Sequence, residues 1–129
     1  MNPHRLNSTR LEKLKSTSLA HQIVIGVDFD YTLVDSSNNY SLYPDIVSLL
    51  QEAQKVGFIL CIWTANTNPS LVTTKWEEAS LTWSYYNESP INPEKRKPHF
   101  NILLDDSAGL EQSMQLLKEL ITYKKEQHA

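Results

Sequence analysis

The chain has 129 residues, 40% of them apolar and 21% charged, with a formal net charge of -3. That is enough for one folded domain with a real core, and the weakly acidic balance argues against a large nucleic-acid footprint. The single cysteine, Cys61, excludes a disulfide framework within the chain; no apolar run reaches the ~18 residues of a membrane span, and the polar start lacks the apolar stretch of a signal peptide. These features predict a cytoplasmic protein with no membrane partner; a monomer or a homodimer is expected.

Residues 1–21 stand apart. Leu6, Leu11, Leu14 and Leu19 make a poor helical stripe among polar residues, which predicts an N-terminal arm, either loosely ordered or a fraying helix. Residues 22–129 read as the folded domain. Its first strand is expected at 22–28, where Ile23, Val24, Ile25 and Val27 are apolar and mostly β-branched. A helix follows over 44–56, with Pro44 near its first position, Ile46, Leu49, Leu50 and Ala53 on one face, and Gly57 as its stop. Residues 58–64 form a second apolar strand. Asn68-Pro69 caps a short helix reaching about Ala79, with Val72, Trp76 and Ala79 on one face. A weaker third strand is expected at 81–86. A loop with the cluster Lys95-Arg96-Lys97 leads to a fourth strand at 100–105, and a last helix runs from about 108 to 124. There is no internal repeat.

Strands alternating with helices predict an α/β fold: a doubly wound, mostly parallel, Rossmann-like sheet with helices on both faces. In such sheets ligands bind beyond the carboxyl ends of the strands, at the point where the strand order reverses. Asp28 and Asp30, then Thr64, then Asp105 and Asp106 all fall at that end. The order 3-2-1-4 would bring the two acidic pairs together. Strand alternation would point Asp28 and Asp30 the same way, and adjacent carboxylates repel unless a cation or a shared proton relieves them. Two converging pairs therefore read as a metal-dependent phosphoryl-transfer site. A P-loop is excluded, because Gly26, Gly57 and Gly109 are far apart. A response-regulator receiver is disfavoured by the absence of a lone aspartate on a middle strand. The plainer readings are Thr64 as a strand-end or capping residue, Lys97 as part of a solvated basic run, His99 as structural, and Trp76, Trp83, Tyr85 and Tyr86 as packing.

The ordered set Asp28-x-Asp30-x-Thr32, Thr64, Lys97 and Asp105-Asp106 resembles the haloacid dehalogenase-like phosphohydrolases over about residues 22–121. The stretch Arg96-Lys97-Pro98-His99-Phe100-Asn101-Ile102-Leu103-Leu104-Asp105-Asp106 is similar to that of small capless members from bacteria and phages, and to 5'-deoxyribonucleotidases. The resemblance implies a Mg²⁺-dependent phosphatase that works through an aspartyl-phosphate. Asp28 would be the nucleophile and Asp30 the general acid and base. Thr64 and the backbone of Ala65 would bind phosphate, and Lys97, with Lys95 as the alternative, would neutralise it. The metal set would be Asp28, Asp30 through its carbonyl, Asp106, and Asp105 directly or through water. Tyr31 departs from the glycine most members have, although the magnesium-dependent protein or sugar phosphatases carry tyrosine there. Lys97 lies only eight positions before Asp105, so the helix that often separates these motifs is missing. About ten residues separate Thr32 from Pro44, too few for a cap domain, which predicts an open site for a phosphate on a bulky or polymeric carrier: a nucleotide, a nucleic-acid end, a protein or a glycan. The competing expectation is a catalytically silent binding protein that keeps the fold.

Overall fold

The computed structural model describes residues 3–91 and 99–128, with side chains from Thr9 onward. Its elements in chain order are α1 (Pro3–Ala20), β1 (Val24–Asp28), β2 (Val34–Asp35), β3 (Ser41–Leu42), α2 (Pro44–Lys55), β4 (Ile59–Trp63), α3 (Pro69–Glu78), β5 (Tyr85–Tyr86), β6 (Ile102–Leu104) and α4 (Leu110–Gln127). The fold is α/β, with a four-strand parallel sheet flanked by helices and no cap domain among the described residues.

The sheet order is β5-β4-β1-β6, the expected 3-2-1-4 when its strands are counted along the chain. Alternate side chains of the central strands, Ile25 and Val27, Leu60 and Ile62, Ile102 and Leu104, go into one core with Leu50, Trp76 and Leu117. Register sets the level of the strand ends: Asp28 pairs with Trp63, and Val27 with Leu104. Thr64 and Asp105, the next residue of each neighbouring chain segment, therefore emerge beside Asp28. On the opposite face of β1, Gly26 leaves room for the Phe100 ring, which a Cβ there would meet at 2.5 Å. Any larger residue would force the Phe100 side chain off the strand.

The helices follow their sequence signals. α2 starts at Pro44 and buries Ile46, Leu49, Leu50 and Ala53. The chain then turns through Gly57 at φ +92, a backbone state that glycine adopts without a Cβ clash. α3 is capped by the Asn68 side chain, which accepts from the Leu71 N–H at 3.2 Å.

One region takes one of its two expected forms, and one differs from expectation. The N-terminal stretch is a helix packed against α4 through Leu14, which is buried. Lys124 Nζ donates to the Ser18 carbonyl at 3.0 Å, and Lys15 Nζ lies 5.3 Å from the centre of the Tyr123 ring. Its apolar contact is narrow, and Leu19 is 65% exposed, so its sequence carries little helical periodicity. The third strand is shorter than expected. Only Tyr85 and Tyr86 pair with β4, whereas Leu81 N–H donates to the Trp76 carbonyl and Thr82 N–H to Gln54 Oε1. The end of α3 and a side chain of α2 thus hold backbone that the aromatic pattern suggested would join the sheet.

Candidate phosphoryl-transfer site

The site is built at the carboxyl end of the sheet. β1 delivers Asp28, and the chain then turns sharply. The Phe29 carbonyl accepts from the N–H groups of Thr32, Leu33 and Val34, and Tyr31 N–H donates to the Val34 carbonyl at 2.8 Å. This turn corrects the sequence expectation that Asp28 and Asp30 share one strand face. The strand ends at Asp28, and Asp30 lies in the turn, where its carboxylate has separate partners. Ser36 Oγ donates to Asp30 Oδ1 at 2.6 Å, and Asn66 Nδ2 lies 3.4 and 3.3 Å from its two oxygens. Three carboxylates converge rather than four: oxygen atoms of Asp28, Asp105 and Asp106 lie within 4.8 Å of one another. The Asp30 side chain is not among them, which leaves its carbonyl as the group the sequence reading assigned to a metal.

Tyr31 makes this turn with φ +62 and is 50% exposed. A non-glycine residue there costs roughly 1–2 kcal/mol, so the departure from glycine noted in the sequence is also a backbone cost. Thr32, fully buried, ties the two acidic loops together. Its Oγ1 accepts from the Asp106 N–H at 2.9 Å and stands 3.4 Å from both Asp28 Oδ2 and Asp106 Oδ1. Its one hydroxyl proton can serve only one of them.

The electrostatics are those of an uncompensated group. Burial, then the Asp105 and Asp106 carboxylates beside it, push the Asp28 carboxyl from 3.8 up to about 7, against a backbone hydrogen bond from Phe29 that acts the other way. Among the described residues no Lys or Arg forms an ion pair with any of the three. Asp105 spends Oδ1 on the N–H and hydroxyl of Ser107, at 2.9 and 2.8 Å. A hard divalent cation fits this set: the donors are all oxygen, and a positive charge would relieve the repulsion that raises Asp28.

Thr64 follows β4 and is buried. Its Oγ1 accepts from the Asn66 N–H at 3.0 Å, which leaves the hydroxyl proton to donate elsewhere. The N–H of Ala65, an exposed residue, has no hydrogen-bond partner among the described residues. Lys97 and Lys95 lie outside the described residues. Sequence reasoning missed Ser36, Asn66 and Asn87. Asn66 had a signal, since Asn two residues past a strand end and two before Asn68-Pro69 favours side-chain-stabilised turns. Ser36 and Asn87 had none.

No family model and no curated protein matches the chain. A solved structure, the conserved protein coded by a locus from Bacteroides thetaiotaomicron, matches with a TM-score of 0.60 at 21% identity, covering 77% of this chain and 92% of that one. At that identity the likeness shows a shared fold. No helix among the described residues is long and apolar enough to cross a membrane.

Proposed function

We propose that this chain is a Mg²⁺-dependent phosphatase that hydrolyses a phosphate monoester through an aspartyl-phosphate at an open site, as expected of a small haloacid dehalogenase-like enzyme. The observation that carries the reading is the convergence of Asp28, Asp105 and Asp106 within 4.8 Å, next to the uncommitted hydroxyl proton of Thr64. Magnesium, held by those three carboxylates and the Asp30 carbonyl, would supply the positive charge that lets an anionic nucleophile approach an anionic ester.

The chain's own groups then divide the work. A carboxylate oxygen of Asp28 attacks phosphorus and the bond to the leaving oxygen breaks. Asp30, held by Ser36 and Asn66 apart from the cluster, gives its proton to that leaving oxygen. Water next attacks the phosphorus of the Asp28 phosphoanhydride, Asp30 takes the proton, and inorganic phosphate leaves. The Thr64 hydroxyl and the Ala65 N–H donate to phosphoryl oxygens, and Lys97 neutralises their charge. With no cap domain among the described residues, the substrate is a phosphate on a bulky or polymeric carrier: a nucleotide, a nucleic-acid end, a protein or a glycan.

An aryl phosphate assay with and without Mg²⁺ tests the reading. Turnover that requires the metal supports it, and a folded, metal-binding protein without turnover would identify a silent binding protein instead. Within an active enzyme, Lys97→Ala is expected to lower kcat/KM about a hundredfold or more, and Lys95→Ala only a few-fold. The reverse order would move the role to Lys95.

A further inference from the structure

β4 and β5 stop pairing through their backbones at Ile62 and Tyr86, yet the ladder does not end there. Asn87 N–H donates to the Ile62 carbonyl at 2.7 Å. The Asn87 side chain then takes over. Its Oδ1 accepts from the Thr64 N–H at 2.7 Å, and its Nδ2 donates to the Thr64 carbonyl at 2.9 Å. A carboxamide has the same donor and acceptor as a peptide group, so Asn87 presents to Thr64 the pair of bonds that a continued β5 would have offered from two residues.

This arrangement requires the Asn87 backbone to leave the extended state, and it does so at φ +54. Asparagine tolerates that region better than most residues. The consequence falls on Thr64. Both of its backbone groups are satisfied by one side chain and its Oγ1 accepts from Asn66 N–H, so its orientation is fixed from two sides. What it has left to offer is its hydroxyl proton, with the Ala65 N–H beside it. Asn87 itself commits one Nδ2 hydrogen and its Oδ1 to the Thr64 backbone, so the Thr64 contact uses both ends of its amide.

We infer that Asn87 is a positioning residue for phosphoryl recognition: it acts through the backbone of Thr64 and holds the Thr64 hydroxyl and the Ala65 N–H where an anionic oxygen can take both. The inference rests on the proposed role of Thr64 in binding phosphate. It predicts that loss of the Asn87 amide weakens phosphate binding without touching the three carboxylates.

The test combines binding, kinetics and amide exchange in the full chain. Asn87→Ala is expected to raise the inhibition constant for orthovanadate and the KM for p-nitrophenyl phosphate about tenfold, with a smaller change in kcat and an unchanged Mg²⁺ half-saturation. Exchange of the Thr64 amide should accelerate in Asn87→Ala. In Asn87→Asp a carboxylate oxygen would face the Thr64 carbonyl where the amide nitrogen stood at 2.9 Å, so exchange should accelerate there too. In a Thr64→Val background, Asn87→Ala should add little further loss, since the group it positions is gone. Should Asn87→Ala lose its cooperative melt, the neutral Asn87→Ser, whose side chain is too short to reach both Thr64 groups, carries the same comparison. Unchanged vanadate binding in an active enzyme, or losses that multiply independently in the double variant, would overturn the inference while leaving the phosphatase reading in place. A wild-type protein that neither turns over the ester nor binds vanadate would overturn both.

Discussion

The two ends of the sheet handle charge in opposite ways. At the amino end, a cavity of about 320 Å³ is lined by His21, Phe58, Lys124 and His128, among others. There the cations meet complementary partners: Lys124 donates to the Ser18 carbonyl near the end of α1, and Lys125 and Lys55 both pair with Glu52. Positive side chains near helix C-termini oppose the negative end of the helix dipole. At the carboxyl end, three carboxylates converge and Asp28 is pushed up to about 7. Left-handed non-glycine backbone occurs at both ends, at Tyr31 and Asn87 here and at Ser80 beside Gln54 at the other, so the two ends differ in charge rather than in backbone strain. Unrelieved like charge at one end, against local neutralisation at the other, is the difference expected between a candidate functional site and a surface that only has to be stable.

The contrast breaks first at Asp28. Asp28→Asn should abolish aryl phosphate turnover, an effect on the order of ten-thousandfold or more for loss of a nucleophile, and wild-type rates in this variant would remove the assignment. The same change should act on stability in the opposite direction. In protein stripped of divalent cations, the folded state holds the Asp28 proton up to about pH 7, against 3.8 for an ordinary aspartate. The stabilisation from that proton is complete below the lower value and is lost as the pH rises through the upper one. Denaturant melts of metal-free wild type should therefore weaken between these pH values, by up to ~2 kcal/mol after allowance for solvent screening of a half-buried group. Melts of Asp28→Asn should stay flatter over the same range.

Chelation sharpens the same contrast. EDTA should end turnover. Mg²⁺ at ~100 times its dissociation constant should add about 2.7 kcal/mol of stability, read as a rise of several degrees in Tm at neutral pH and a smaller rise in acid. An equal Tm with and without Mg²⁺ would detach the cation from the carboxylate cluster. A smaller effect is expected at Ser36, whose hydroxyl holds Asp30. Ser36→Ala should slow kcat about tenfold while leaving Mg²⁺ binding intact, because Asp30 stands outside the three-carboxylate group. The smallest effect is expected at the other end of the sheet. Lys124→Ala should cost about 1 kcal/mol or less in a denaturant melt and leave turnover unchanged.

Much of this was legible in the chain because the signals were local. The runs 22–28 and 58–64, the Pro44 and Asn68-Pro69 helix starts and Gly57 give the sheet, and strand order then places Asp28, Thr64, Asp105 and Asp106 at its carboxyl end. The parts that were not legible depend on tertiary pairing. Alternation assumes that a strand continues, so it could not show that β1 stops at Asp28 and that Asp30 turns toward Ser36 and Asn66. The short antiparallel pair β2–β3, which pairs Val34 with Leu42 and Asp35 with Ser41, is too brief to leave a period. Asn87 reaches Thr64 across 23 positions, and nothing near it in sequence marks that contact.

The most direct test of the account is to trap the covalent intermediate. Wild-type protein turning over an aryl phosphate with Mg²⁺ would be acid-quenched and treated with borohydride, which reduces an aspartyl-phosphate to homoserine, and the modified position read by peptide mass spectrometry. The account predicts homoserine at position 28 alone, and none in Asp28→Asn. Turnover without a reducible intermediate, or homoserine at Asp30, Asp105 or Asp106 instead, would contradict it.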